Sequence, residues 1–283
     1  MKLFHFYQQQ EIHLGVADEN RAVDITHAGI TWTWREIFQN WARCREEFLG
    51  ILQQGKALDL EKVTFAPASL AGKILCVGLN YPAHQQEGGF AKTEHPTIFM
   101  KTENARAAHG EAIPLPTCAQ EYDYEGEFVI VIGRKIHVAT IEEATAAIFG
   151  YTIGNDLSAR DLQFRTSQWN LGKSLDGFAP LGPYIVPKED MPPKALNLET
   201  YVNGQKKQDA TTDAMLWQPP ALVQYISQYM TLMPGDVIFT GTPEGVILGE
   251  KKAGHPCNWL QAGDVVEVRI EGVGCLRNTF VKD

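Results

Sequence analysis

A chain of 283 residues with 44% hydrophobic and 21% charged residues has ordinary globular usage, which fits a substantial buried core and excludes disordered, fibrous and membrane-spanning classes. The formal net charge of −9, with no clustered basic face, argues against nucleic acid as a partner, and an anionic substrate would need local positive groups. The five cysteines are scattered without a CxxC pair, the apolar start Met1 to Tyr7 is too short for a secretory signal, and no stretch reaches membrane-spanning length. These features point to the cytoplasm.

Strands are expected at Met1 to Tyr7, Ile12 to Val16 and Ala22 to Ile25, the last after the polar turn Asp18-Glu19-Asn20. Thr33 and Glu36 form a capping box that opens a helix through Trp41 and Phe48, stopping at Gly55. Residues 1–66 thus read as a small N-terminal α/β unit, with Pro67 in the connection to a larger domain at 67–283. That domain contains a strand from Lys73 to Val77, the turn Asn80-Tyr81-Pro82, and a strand from Tyr124 to Ile132. Thr140 and Glu143 form a second capping box, for a helix from Ile141 to Phe149 that ends at Gly150 before the strand Tyr151 to Asn155. Asn203-Gly204 marks a hairpin, Pro219 starts a helix to about Met230, Asp236 to Thr240 is a strand, and Val265 to Ile270 alternates before a return through Val281. The balance is α+β and β-rich, without internal repeats.

Side chains alternate along a strand, so Glu125 and Glu127 share a face with Val129 and Val131, and Gly126 leaves the opposite face locally bare. Two like charges on an apolar face call for a positive partner. Asp156, at the end of the Tyr151 strand, joins them if the two strands flanking the Ile141 helix are neighbours. Three oxygen donors suit Mg²⁺, Mn²⁺ or Ca²⁺ better than zinc. On spacing alone, a solvated strand end pairing with Lys101, Arg134 or Lys135 is the commoner arrangement. His84 and Glu87 lie one helical turn apart, a spacing at which a carboxylate can orient an imidazole as a general base, although such turns are more often solvated surface. Lys173 lies in a largely apolar stretch, where it could meet a substrate oxygen or belong to a surface loop.

The runs Lys73 to Tyr81 with His84 and Glu87, Asp123 to Glu127, Gly154 to Asp161, Trp169 to Asp176 and Pro234 to Pro243 resemble, in that order, the fumarylacetoacetate hydrolase family. The resemblance implies a mixed β-roll core, a homodimer, and Mg²⁺ or Mn²⁺ held by Glu125, Glu127 and Asp156. It implies a small oxo-acid substrate that chelates the metal and forms an enolate, as in acylpyruvate hydrolysis, oxaloacetate decarboxylation or dienedioate isomerisation. His84, Glu87 and Lys173 then become catalytic candidates, and Arg160, Gln163, Gly241 and Thr242 substrate-binding ones, the last two through a turn whose N–H groups and hydroxyl suit a carboxylate. The loop after Thr242 departs from the family's usual form, with Ile247 where a glycine is expected and Glu244 adding a charge. A leading reading of metal-dependent C–C hydrolase or lyase stands beside an isomerase and, from another class, a non-catalytic metal- and oxo-acid-binding protein.

Overall fold

The computed structural model describes residues 1–30, 32–68 and 72–283. Its main sheet, in spatial order, is Thr97–Lys101, Ile74–Gly78, Val237–Phe239, Gly126–Ile132, Ile148–Asn155, Ala179–Leu181 and Arg106–Ala108, with Val186–Pro187 also paired to the Ile148–Asn155 strand. Ile74–Gly78 runs parallel to Val237–Phe239, while Gly126–Ile132 is antiparallel to both its neighbours. A second sheet joins Gln205–Thr211, Asn197–Val202, Val265–Ile270, Gly274–Lys282 and Ala112–Leu115. The result is a strand-rich α+β mixed β-roll.

Every residue of the Gly126–Ile132 strand is buried, because both faces of this central strand are covered. Ile130 and Ile132 pack with Leu75, Ile238 and the helices Ile141–Ala147 and Pro219–Ser227. Val129 and Val131 point the other way, into a cluster with Phe239, Leu181 and the N-terminal residues Leu3, Ile37 and Phe48. The N-terminal sheet of Ala22–Asp24, Glu11–Ala17, Lys2–Gln8 and Thr64–Ala66 therefore shares a core with the main sheet, and Leu3 bridges to Ile185. Phe128 and Ile153 meet Leu198, Val266 and Val268 of the second sheet.

Several expected boundaries move. The first long helix breaks at Asn40 into Trp34–Gln39 and Trp41–Gln54; the Asn40 amide nitrogen donates to the Glu36 carbonyl, the backbone competition that makes asparagine a poor helix interior. Pro82 opens the helix Pro82–Glu87 instead of closing a turn, and Leu79, at φ 61°, makes the reversal before it. The second capped helix ends at Ala147, with Phe149 and Gly150 in the following strand. Gly150 serves a close approach there, since a Cβ would lie 2.2 Å from the Val186 carbonyl oxygen. The Asn203-Gly204 hairpin stands as expected, both residues at positive φ.

Candidate metal centre and active site

The expected strand from Tyr124 is interrupted. Tyr122–Asp123 and Gly126–Ile132 form separate strands, and the Glu125 N–H is taken by the Asn155 side-chain oxygen at 3.0 Å. The Asp156 N–H donates to the Glu125 carbonyl at 2.8 Å, which locks the Asp156 turn beside the glutamates. Carboxylate oxygens of Glu125, Glu127 and Asp156 lie within 4.8 Å of one another, all three residues buried. The Gly126 face is not bare: a Cβ would meet Thr200 Oγ1 at 2.1 Å, so glycine lets the second sheet close over the back of the cluster.

Buried cations thread between the acids. Lys173 Nζ donates to Glu125 Oε2 at 2.5 Å and Asp156 Oδ2 at 2.8 Å, and Lys101 Nζ donates to Asp156 Oδ1 and, at 2.9 Å, to the Leu157 carbonyl. Arg160 donates from Nε to Asp123 Oδ2 at 2.9 Å, from Nη2 to Glu125 Oε1 at 2.7 Å, and from Nη1 to Gln163 Oε1 at 2.9 Å. Burial alone would raise the Glu125 carboxyl, but Lys173 and Arg160 hold it well below the usual carboxylate range. Glu127 goes the other way: burial, Asp156 and Glu125 push its carboxyl well up, while the Gly241 N–H at 2.7 Å only partly offsets them. Glu127 has no ion-pair partner among the described residues. A hard divalent cation among three oxygen donors would relieve that repulsion, so the residues present fit such an ion.

His84 Nδ1 lies 2.9 Å from Glu87 Oε1, and Glu87 Oε2 accepts the Gly245 N–H at 2.9 Å. The tautomer that donates to Glu87 leaves His84 Nε2 as an acceptor without a protein partner among the described residues. His84, Glu125, Glu127, Asp156, Arg160, Gln163, Lys173 and Thr242 all line one pocket, and Glu87 and Gly241 bond to His84 and Glu127 of that lining. The Gly241 N–H serves Glu127, not open space, and Thr242 Oγ1 donates to the Gly126 carbonyl at 3.0 Å while accepting from Gln208 Nε2 at 2.8 Å. That turn therefore braces the cluster. The Gln163 amide nitrogen has no protein partner among the described residues.

Two residues of the site were not singled out from sequence. Asp123 accepts from Arg160 and from the Tyr124, Ile247 and Leu248 N–H groups, tying Glu125's partner to the start of the helix Ile247–Lys252. Lys101 figured only as a partner for a solvated glutamate pair, yet it is 3% exposed and bonds Asp156. Tyr81, in the turn before the His84 helix, is 1% exposed and packs in the core.

A buried three-carboxylate cluster with an imidazole alongside, at the end of a mixed sheet, is a set of donors that could hold a metal ion. Residues 73–281 match the family Fumarylacetoacetate (FAA) hydrolase C-terminal, and the chain belongs to it. It is 39% identical over 223 residues to the mitochondrial oxaloacetate tautomerase Fahd2a of Rattus norvegicus, covering 78% of this chain and 70% of that protein. Among solved structures, it superposes with TM-score 0.80 and 35% identity on 5-carboxymethyl-2-hydroxymuconate delta-isomerase from Mycobacterium smegmatis, both chains covered in full. The fumarylacetoacetate hydrolase of Exiguobacterium antarcticum gives TM-score 0.83 at 34% identity, again with both chains fully covered. No helix among the described residues is long and apolar enough to cross a membrane.

Proposed function

We propose that the chain is a divalent-cation-dependent enzyme that moves a proton on a small 2-oxo acid, interconverting its keto and enol forms. The observation that carries this reading is the convergence of Glu125, Glu127 and Asp156 beside a His84 whose Nε2 is free. Mg²⁺ or Mn²⁺ held by these three acids would act as a Lewis acid, drawing charge from a chelating 2-oxo group and carboxylate. His84, oriented by Glu87, takes the proton from the carbon next to the oxo group and hands it to the oxo oxygen, giving the enol; the reverse transfer restores the keto form. The Gln163 amide donates to a substrate oxygen. Lys173 balances charge on that oxygen, Arg160 holds Glu125, and Gly241 and Thr242 hold Glu127 and the strand that carries it.

The same His84–Glu87 pair would also activate a water, and it favours a second reading: C–C hydrolysis of an acylpyruvate-type acid; oxaloacetate decarboxylation, the lyase alternative, needs no attacking water. A 2-hydroxyhepta-2,4-diene-1,7-dioate isomerase would need the proton transfer alone. The homodimer and the cytoplasmic setting belong to the same proposal. Oxaloacetate is the first substrate to test, followed by NMR in D₂O for accelerated exchange at carbon 3 and for any pyruvate released. Metal-dependent exchange without pyruvate supports the tautomerase; cleavage products from acylpyruvates support the second reading. Activity that survives exhaustive removal of divalent metal overturns both, and metal-dependent binding without any turnover would leave a binding protein.

A further inference from the structure

The aromatic side of the pocket takes no part in the chemistry above. Trp169, half-buried, directly precedes the helix Asn170–Lys173, whose last residue reaches the carboxylates. Phe99 lies between the two: Lys173 Nζ is 5.1 Å from its ring centroid, and the Trp169 ring is 5.4 Å from it at an interplanar angle of 70°. The indole is thus two side chains out from the acidic cluster, toward solvent. Gly78 backs it, since a Cβ there would lie 2.9 Å from Trp169 Cζ3, so only glycine lets the ring lie this close to the strand end. Trp169, Phe99 and Gly78 line the same pocket as His84 and the carboxylates, and Phe90 faces His84 with ring centroids 6.3 Å apart.

A polar floor and an apolar outer wall divide the pocket by chemistry. An oxo acid gripped head-first by the cluster must direct its remaining atoms at the rings. We propose that Trp169, seated on Gly78 and against Phe99, is a specificity-determining wall that sets how long a tail the oxo acid can carry. Short acids fit inside it, and a bulky tail must displace the indole from a place where Gly78 and Phe99 hold it. This inference rests on the reading of the cluster as an oxo-acid chelating site.

The test is isothermal titration of the full chain with Mn²⁺, using three unreactive probes that share a head: oxalate, oxamate and N-phenyloxamate. The wild type is expected to bind N-phenyloxamate about tenfold or more weakly than oxamate, and Trp169→Ala to close that gap by about tenfold. Trp169→Leu keeps an apolar side chain at the site and carries the test if the alanine variant fails to fold. Equal binding of both probes by the wild type, or an unchanged ratio in the variant that folds, overturns the inference alone. Failure of the wild type to bind oxalate in the presence of metal overturns the chelating reading, and this inference falls with it.

Discussion

Replacing Asp123 by alanine would test the idea that the cluster is held from behind. Asp123 is 1% exposed and accepts from four donors: the Arg160 guanidinium and the backbone N–H groups of Tyr124, Ile247 and Leu248. Removing one member of a buried ion pair costs about 3–5 kcal/mol, and Arg160 keeps Glu125 and Gln163, which places this change near the lower end. The three orphaned amides add to the loss unless water reaches them. At about 2 °C per kcal/mol for a chain of this size, Tm should fall by about 6–10 °C. Freed on one side, Arg160 no longer fixes Glu125 Oε1, and divalent-metal affinity should fall about 10–100-fold, as when a group that orients a metal ligand is lost. Thermal denaturation and metal titration read the two effects separately. A variant with wild-type Tm and wild-type Mn²⁺ affinity would refute the reasoning.

Other expected outcomes follow from the same geometry. Gly249→Ala would set a Cβ 2.4 Å from Glu87 Oε2 and displace it, so turnover should fall while Mn²⁺ affinity measured by calorimetry stays within a fewfold of wild type. His84→Ala should lower kcat about 10²–10⁴-fold with Mn²⁺ binding retained, read by steady-state kinetics beside titration. Lys101→Met leaves Asp156 with one buried cation of two and should lower both Tm and metal affinity. Glu127 supplies a pH signature. Its carboxyl is raised in the folded, metal-free chain, so its contribution is fully present below the ordinary value of 4.5 and is lost as pH climbs from there toward the native value. The metal-free Tm should therefore fall across that rise, the fall should be smaller in Glu127→Gln, and Mn²⁺ should stabilise most at the high-pH end. A Tm profile identical in the two proteins would remove Glu127 from the account.

The strand alternation that aligned Glu127 with Val129 and Val131, and the helix between two neighbouring strands that brought Asp156 across, were legible because they rest on local periodicity and short connections. Lys101 was not. It ends an edge strand whose sequence resembles any strand end, and only the pairing of Thr97–Lys101 with Ile74–Gly78 places its ammonium against Asp156. The sequence around Asp123 carries no signal of its task, because its partners at Arg160, Ile247 and Leu248 lie 37 to 125 residues away. The Gly241 turn was recognised from its residue types; that its N–H is directed to Glu127 depends on the Val237–Phe239 strand lying beside Gly126–Ile132. Interrupting the Tyr124 strand likewise needed the Asn155 side chain, a tertiary competitor that no local propensity encodes.

Charge balance shows how, on the proposed reading, an acidic protein would attract an acidic substrate. At the site three carboxylates, Asp123, Glu125 and Asp156, interlock with three cations, Arg160, Lys173 and Lys101, and Glu127 is a fourth beside them. Glu127, the acid with no cationic partner among the described residues, is the surplus one, and its surroundings push its carboxyl toward the neutral form. A sequence that needed only a stable core would be better served by a neutral residue there, since an unpaired buried carboxylate destabilises the fold. A divalent cation that displaces the Glu127 proton would take the local balance from neutral to plus one, within a chain whose formal net charge is −9. On the proposed reading, the surplus acid thus lets a metal-loaded pocket attract an oxo-acid carboxylate, and metal and substrate are expected to bind with mutual reinforcement. Oxalate should accordingly bind the metal-free chain far more weakly than the Mn²⁺-loaded one, and Mn²⁺ should bind more tightly with oxalate present by the same factor; oxalate affinity unchanged by Mn²⁺ would refute the account.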